Sequence, residues 1–346
     1  MSGLPWRDLQ LRHLREKGAD MLMIPSKTRQ CASHARLDNA DQGRATHRVS
    51  KIGSSLNFSC ASLLVLLFLL MGRCCSAQSV NHLSWLDRAS KTRSDQPDWV
   101  TPLITSSANL EEATIYDTSR KLQSNGTDLV TAGGPRGIQF VPFGRLQVTI
   151  GATPYLAHND PRVRDGFGDT SFAFKYRMAS GNAEHGGFAF SGQIGASIPT
   201  GSHQNGQPSA ILTPTLLGEK GWGNFNIQST FGFSLPLGDA QTNGRQFTSN
   251  TAFQSHLFRV FYPELETNAL GYWGGKNDGQ RQVLFTPGLL VGRFPVARSA
   301  GITFGIGMQV AATRDHAYNH NLIFSIRIPL QSHLSKQPNH SLFGTK

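Results

Sequence analysis

"TSFAFKYRM", residues 170–178, decides the fold, because its side chains alternate strictly in character. Phe172, Phe174, Tyr176 and Met178 oppose Ser171, Ala173, Lys175 and Arg177, the period of two that a strand with unlike faces requires. Working outward, "GRLQVTIGATPYL" (144–156) sets Leu146, Val148, Ile150 and Ala152 against Arg145, Gln147, Thr149 and Thr153. The same pattern recurs around Phe188–Ile198, Phe225–Leu235, Ile302–Val310 and Leu322–Leu330, and is blurred in 209–218, 247–259 and 281–292.

Breaking the chain at Gly, Pro, Asn and Asp clusters leaves about twelve segments of roughly ten residues, the length of a tilted strand that crosses a bilayer. Longer polar connections (119–127, 157–168, 199–208, 236–246, 274–280, 313–319) alternate with shorter ones such as 142–144, 219–223 and 261–263. Two others, 180–186 and 293–299, are as long as the shortest of the long set. Such alternation predicts an all-β fold, an antiparallel transmembrane barrel of about twelve strands over 109–330, its short turns periplasmic and its long loops outside. Alternation does not say which face is wet. A soluble barrel of that size would need a large cavity, since side chains fill the interior only near eight strands. Outward phenylalanines, with Tyr155, Trp222, Trp273 and Tyr318 as girdle residues, fit lipid contact.

The most apolar run is "SLLVLLFLLMGRCCSAQ" (62–78). Its core, Leu63–Met71, suits a signal peptide and is too short to span a bilayer. Cys75 and Ala77 stand at −3 and −1 of a cleavage between Ala77 and Gln78. Residues 49–77 are thus predicted as the signal, and 1–48 as either a non-native extension from a mis-set start, with Val49 the true one, or a long n-region. All four cysteines (Cys31, Cys60, Cys74, Cys75) precede Gln78, so the exported chain has neither disulfides nor thiolate metal sites. From Gln78 onward there are 22 Lys and Arg against 17 Asp and Glu, a net +5. No basic stripe with interleaved aromatics supports nucleic-acid binding. Residues 78–108 read as a periplasmic lead-in or a plug folded into the lumen, and 331–346 as a polar tail.

"GFGDTSFAFKYRM" (166–178), "YPELETNALGYWGGKNDGQRQVLFTPGLLVGRFP" (262–295) and "YNHNLIFSIRIPL" (318–330) resemble segments of the bacterial outer-membrane barrels of the MetA-pathway of phenol degradation type. They are also similar to related transporter barrels of unassigned function. The resemblance covers roughly residues 98 to 330. It implies a channel or uptake route for small solutes, by association aromatic or apolar ones, in the outer membrane of a Gram-negative-type bacterium. Such barrels commonly end on an aromatic residue used in assembly, whereas this strand ends at Leu330 and the chain continues.

In "PELETNAL" the side chains of Glu264 and Glu266 fall on one face, about 7 Å apart along a strand. They form either a charged constriction or a lumen salt-bridge network, with Arg145, Lys175, Arg177, Arg281 and Arg327 as cations for the opposite wall. "DHAYNH" places Asp315, His316 and His320 in a loop, where the spacing does not converge on a metal. Without a Gly-x-Ser-x-Gly elbow, P-loop or dinucleotide fingerprint, no enzyme, cofactor or metal is expected. The expected partners are outer-membrane lipid, a small solute and, during biogenesis, the barrel assembly machinery. Two rivals are a secreted or surface-associated β protein that binds a ligand, and a barrel-wall hydrolase.

Overall fold

A computed structural model describes residues 85–123, 125–238, 243–297, 300–314 and 318–330. The extension, the signal, the Ala77/Gln78 junction, Asp315, His316 and the tail lie outside the described residues.

A short helix, α1 (Trp85–Ser94), precedes an inner segment of irregular backbone (95–112). The strands follow as β1 (Ala113–Gln123), β2 (Asp128–Phe143), β3 (Leu146–His158), β4 (Gly166–Phe167), β5 (Thr170–Gly181), β6 (Phe188–Ile198) and β7 (Ile211–Trp222). They continue as β8 (Phe225–Pro236), β9 (Arg245–Ser255), β10 (Phe261–Trp273), β11 (Arg281–Ala297), β12 (Ala300–Ala311) and β13 (Tyr318–Pro329). Two-residue β4 folds back on β3, and the other twelve form a closed antiparallel barrel. Closure comes from β1 on β13, with Ala113 opposite Pro329 and Gln123 opposite Tyr318. No helix among the described residues is long and apolar enough to cross a membrane, a test that does not bear on strands.

Sequence alternation becomes two faces of the wall. Every long strand offers an exposed apolar side chain outward: Tyr116, Ile138, Ile150, Phe174, Phe190, Leu216, Phe231, Phe253, Leu265, Phe285, Phe304 and Phe324. The buried inward face carries Gln147, Thr149, Lys175, Ser191, Gln228, Glu266, Thr286, Gln309 and Arg327. Trp222, Trp273 and Tyr155 lie near strand ends with their rings exposed. Tyr318 differs from expectation: its hydroxyl donates to Gln309 Oε1 at 2.6 Å, so it turns toward the lumen.

The connections at one end (124–127, 159–169, 199–210, 237–244, 274–280, 312–317) are longer than most at the other (144–145, 182–187, 223–224, 256–260, 298–299), and β1 starts and β13 ends at the short-turn end. Several boundaries correct the sequence reading: residues 219–222 belong to β7, with the reversal at 223–224. Residues 261–263 belong to β10, and the reversal falls at 256–260, where Phe258 and Arg259 adopt positive φ. Residues 293–297 extend β11 through two register shifts rather than forming a turn. Arg293, at φ +62°, sits in the first shift, which aims it at Asp98 of the inner segment at 2.8 Å.

Candidate functional site

The inner segment lies within the lumen. Irregular backbone outside any sheet leaves its N–H and C=O groups without ladder partners, and burial makes each one costly unless paired. Inward side chains supply the partners, sorted by charge. Glu264 Oε1 accepts from the Leu103 N–H (3.0 Å). Glu266 accepts from the N–H groups of Ile104 (2.7 Å) and Thr105 (2.6 Å) and from the Thr105 hydroxyl (2.6 Å). Gln254 braces Glu264 at 2.7 Å.

Carbonyls turn to the cationic wall. Arg327 donates to Thr101 O, and to Pro102 O at 2.9 Å. Arg136, ion-paired with Asp117 at 2.8 Å, reaches Pro102 O (2.7 Å) and Leu103 O (2.5 Å). Lys175 Nζ holds Ser107 O (2.8 Å) and Asn109 O (3.0 Å). Ser191 donates to Ala108 O (2.5 Å) and Gln228 to Val100 O (3.1 Å). Arg177 anchors the start through Thr92 O and Gln96 Oε1, both at 2.8 Å.

Packing adds one apolar knob. Leu103, 1% exposed, joins Val100, Tyr262, Leu290 and Ile323 in a buried cluster. It needs bare backbone around it: a Cβ on Gly288 or Gly307 would come within 2.5 Å of Leu103 Cδ1, and one on Gly305 within 2.8 Å of Cδ2. These glycines form its socket.

Of the residues singled out from sequence, Glu264, Glu266, Lys175, Arg177 and Arg327 meet on the inner segment. The two glutamates bind its amides rather than arginine or lysine from the wall. Arg145 and Arg281 do not join them. Arg145 is exposed in the 144–145 turn, and Arg281 is exposed at the loop-side start of β11, where neither faces the enclosed lumen. Sequence reading missed Arg136, which lies where glycines disrupt the β2 register, and Glu219, placed in a turn but buried on β7 and accepting from Ser107 Oγ at 3.1 Å. Among the described residues no group of three or more His, Cys, Asp or Glu could hold a metal.

Beside the inner segment on the loop side is a cavity of about 330 Å³. Its lining combines apolar surface, from residues such as Pro135, Phe172, Ala173 and Ala196, with hydroxyls and amides such as Thr149, Ser197, Thr230 and Asn250, and Arg136, Lys175 and Ser106 also border it. At the opposite end, Glu112 is 5% exposed just before β1. Burial pushes its carboxyl up to about 7.

No curated protein matches the chain. Among solved structures, an outer-membrane channel from Pseudomonas putida F1 is similar at TM-score 0.46 and 10% identity, covering 67% of this chain and 99% of that one. The NanC porin aligns at TM-score 0.42 and 6% identity over 62% of this chain and 99% of its own. The KdgM porin, in complex with disordered oligogalacturonate, aligns at TM-score 0.34 and 9% identity over 64% and 100%. The family described as "Putative MetA-pathway of phenol degradation" matches residues 112–314, more than half of the chain and nearly the whole barrel, and the chain belongs to that family.

Proposed function

We propose that this protein is an outer-membrane channel or uptake barrel for small solutes, held closed by its inner segment. The observation that carries the reading is the pairing of the backbone from Val100 to Glu111 with inward side chains of β2, β3, β5, β6, β8, β10 and β13. A twelve-strand barrel is wider than its own side chains can fill. Here the inner segment occupies the surplus space on the turn side, leaving the cavity on the loop side.

The exterior supports a lipid setting. Exposed apolar side chains stand on all twelve long strands, and soluble monomers rarely expose so many together. The short-turn end then faces the periplasm, as in bacterial outer-membrane barrels. In this orientation the inner segment sits at the periplasmic end, so it withdraws toward that side and a solute follows it. Selection is by lumen width and by the charged groups the segment uncovers, with no covalent step.

Solute-induced swelling of vesicles carrying the full chain tests this. Slow flux is expected for the native protein and faster flux when Glu264 and Glu266 are both replaced by Gln. A chain that stays dissolved without detergent and leaves vesicles untouched would overturn the reading in favour of a secreted β protein.

A further inference from the structure

We infer that the loop-side cavity is a binding site for a small hydroxylated anion, whose carboxylate takes Lys175 from the carbonyls of Ser107 and Asn109 and so favours release of the inner segment. The inference rests on the channel reading and gives it a solute class and a trigger.

Its size, about 330 Å³, is at the small end of ligand cavities. The lining contains no Asp or Glu, and its two charged residues, Arg136 and Lys175, are both cations. They are not equivalent. Asp117 neutralises Arg136 at 2.8 Å. Lys175, 5% exposed, has no carboxylate within ion-pair distance among the described residues; it donates to two carbonyls, and Glu111 and Glu219 act on it only at longer range. A neutral carbonyl is a weaker partner for a buried ammonium than a carboxylate. An anion that enters from the loop side therefore has a position at which it outcompetes the segment.

The rest of the wall is suited to the remainder of such a molecule. Thr149, Ser171, Ser197, Thr213 and Thr230 can each donate and accept, and Asn250 offers an amide. Phe172 is the one aromatic residue at the wall and belongs to the outward-facing set of β5, so what sets an anion apart from a neutral ring here is Lys175. Because the anion binds the arrangement in which Lys175 is free, it shifts the population toward the undocked segment.

Ser106 borders the cavity and is only half-buried, which makes Ser106→Cys a reporter of undocking. The full chain with this change is reconstituted in vesicles and treated with a maleimide, and modification at position 106 is read by peptide mapping. Three probes are compared: gluconate, its neutral analogue sorbitol, and phenol. Gluconate should speed labelling at least about tenfold and the other two less than about twofold, since tenfold corresponds to ~1.4 kcal/mol of differential binding. Adding Lys175→Gln should abolish the gluconate effect, and Lys175→Arg should retain it. Equal acceleration by sorbitol or phenol, or a gluconate effect that survives Lys175→Gln, would overturn the inference. Labelling does not require conduction, so a barrel that passes no solute yet answers to gluconate would refute the channel reading and leave the anion site standing.

Discussion

Replacing Glu266 with Gln tests how the inner segment is held. The two carboxylate oxygens accept three hydrogen bonds at a fully buried position: one from the Ile104 amide and two from Thr105. A hydrogen bond to a charged group contributes about 2 kcal/mol and a neutral one about 1 kcal/mol. An amide keeps the two bonds from Thr105 through its single oxygen, but its NH₂ then meets the Ile104 N–H, donor against donor. The gross loss is about 4 kcal/mol. About half is offset because a buried charge no longer has to be stripped of water, which leaves ~2 kcal/mol, or roughly a 30-fold larger undocked fraction. Hydrogen exchange of the peptide that contains Leu103–Thr105, followed by mass spectrometry, reads that fraction directly. The expected result is about 30-fold faster exchange there, with β10 and β11 unchanged. A change below about threefold, or equal acceleration in the strands, would refute the reasoning, since the first denies the clamp and the second reports a loosened barrel.

Leu103→Ala empties the socket at Gly288, Gly305 and Gly307, and should weaken docking by about 2–4 kcal/mol, seen as faster exchange confined to the segment. Outward substitution of Phe231 by Arg should cost about 2–4 kcal/mol in folding into vesicles, whereas an ordinary solvent-exposed Phe would tolerate the change; urea midpoints in lipid distinguish the two. Glu112 sets a pH dependence. Its folded carboxyl is raised to about 7, so the native state binds more protons than the unfolded state, and stability falls as pH rises from about 4.5 to about 7. Glu112→Gln should therefore stabilise the protein at pH 8 and change little at pH 4, as thermal scans at the two values would show.

The barrel was legible in the sequence because a strand with an apolar outer face and a polar inner face writes that difference into every second residue. That Phe174 and Lys175 stand on opposite faces follows from position alone, and the structure puts the first outside and the second inside. Turn positions were less legible: Phe258 and Arg259 reverse the chain without Gly or Pro, and β11 carries Gly292, Arg293 and Pro295 at its bulges, residues that read as a turn although the strand continues. For the inner segment, sequence left two readings open, a periplasmic lead-in or a plug folded into the lumen, and could not choose between them. The segment has no period of its own, and its partners come from strands far along the chain, such as Glu266 for Thr105 and Arg327 for Pro102. Sequence did reveal that Glu264 and Glu266 face inward, but not that their partners would be backbone amides. Arg136 would have been found by asking which cation follows the glycine pair at 133–134, where regular alternation fails.

The most direct test of the closed-channel account is single-channel recording of the full chain in a planar bilayer, beside the Glu264→Gln/Glu266→Gln double variant, with folding of both checked by heat-sensitive gel mobility. The account expects rare, brief conductance steps in the native protein and frequent, long-lived steps of the same size in the variant. Identical open probability in two folded barrels, or silence in both, would contradict it.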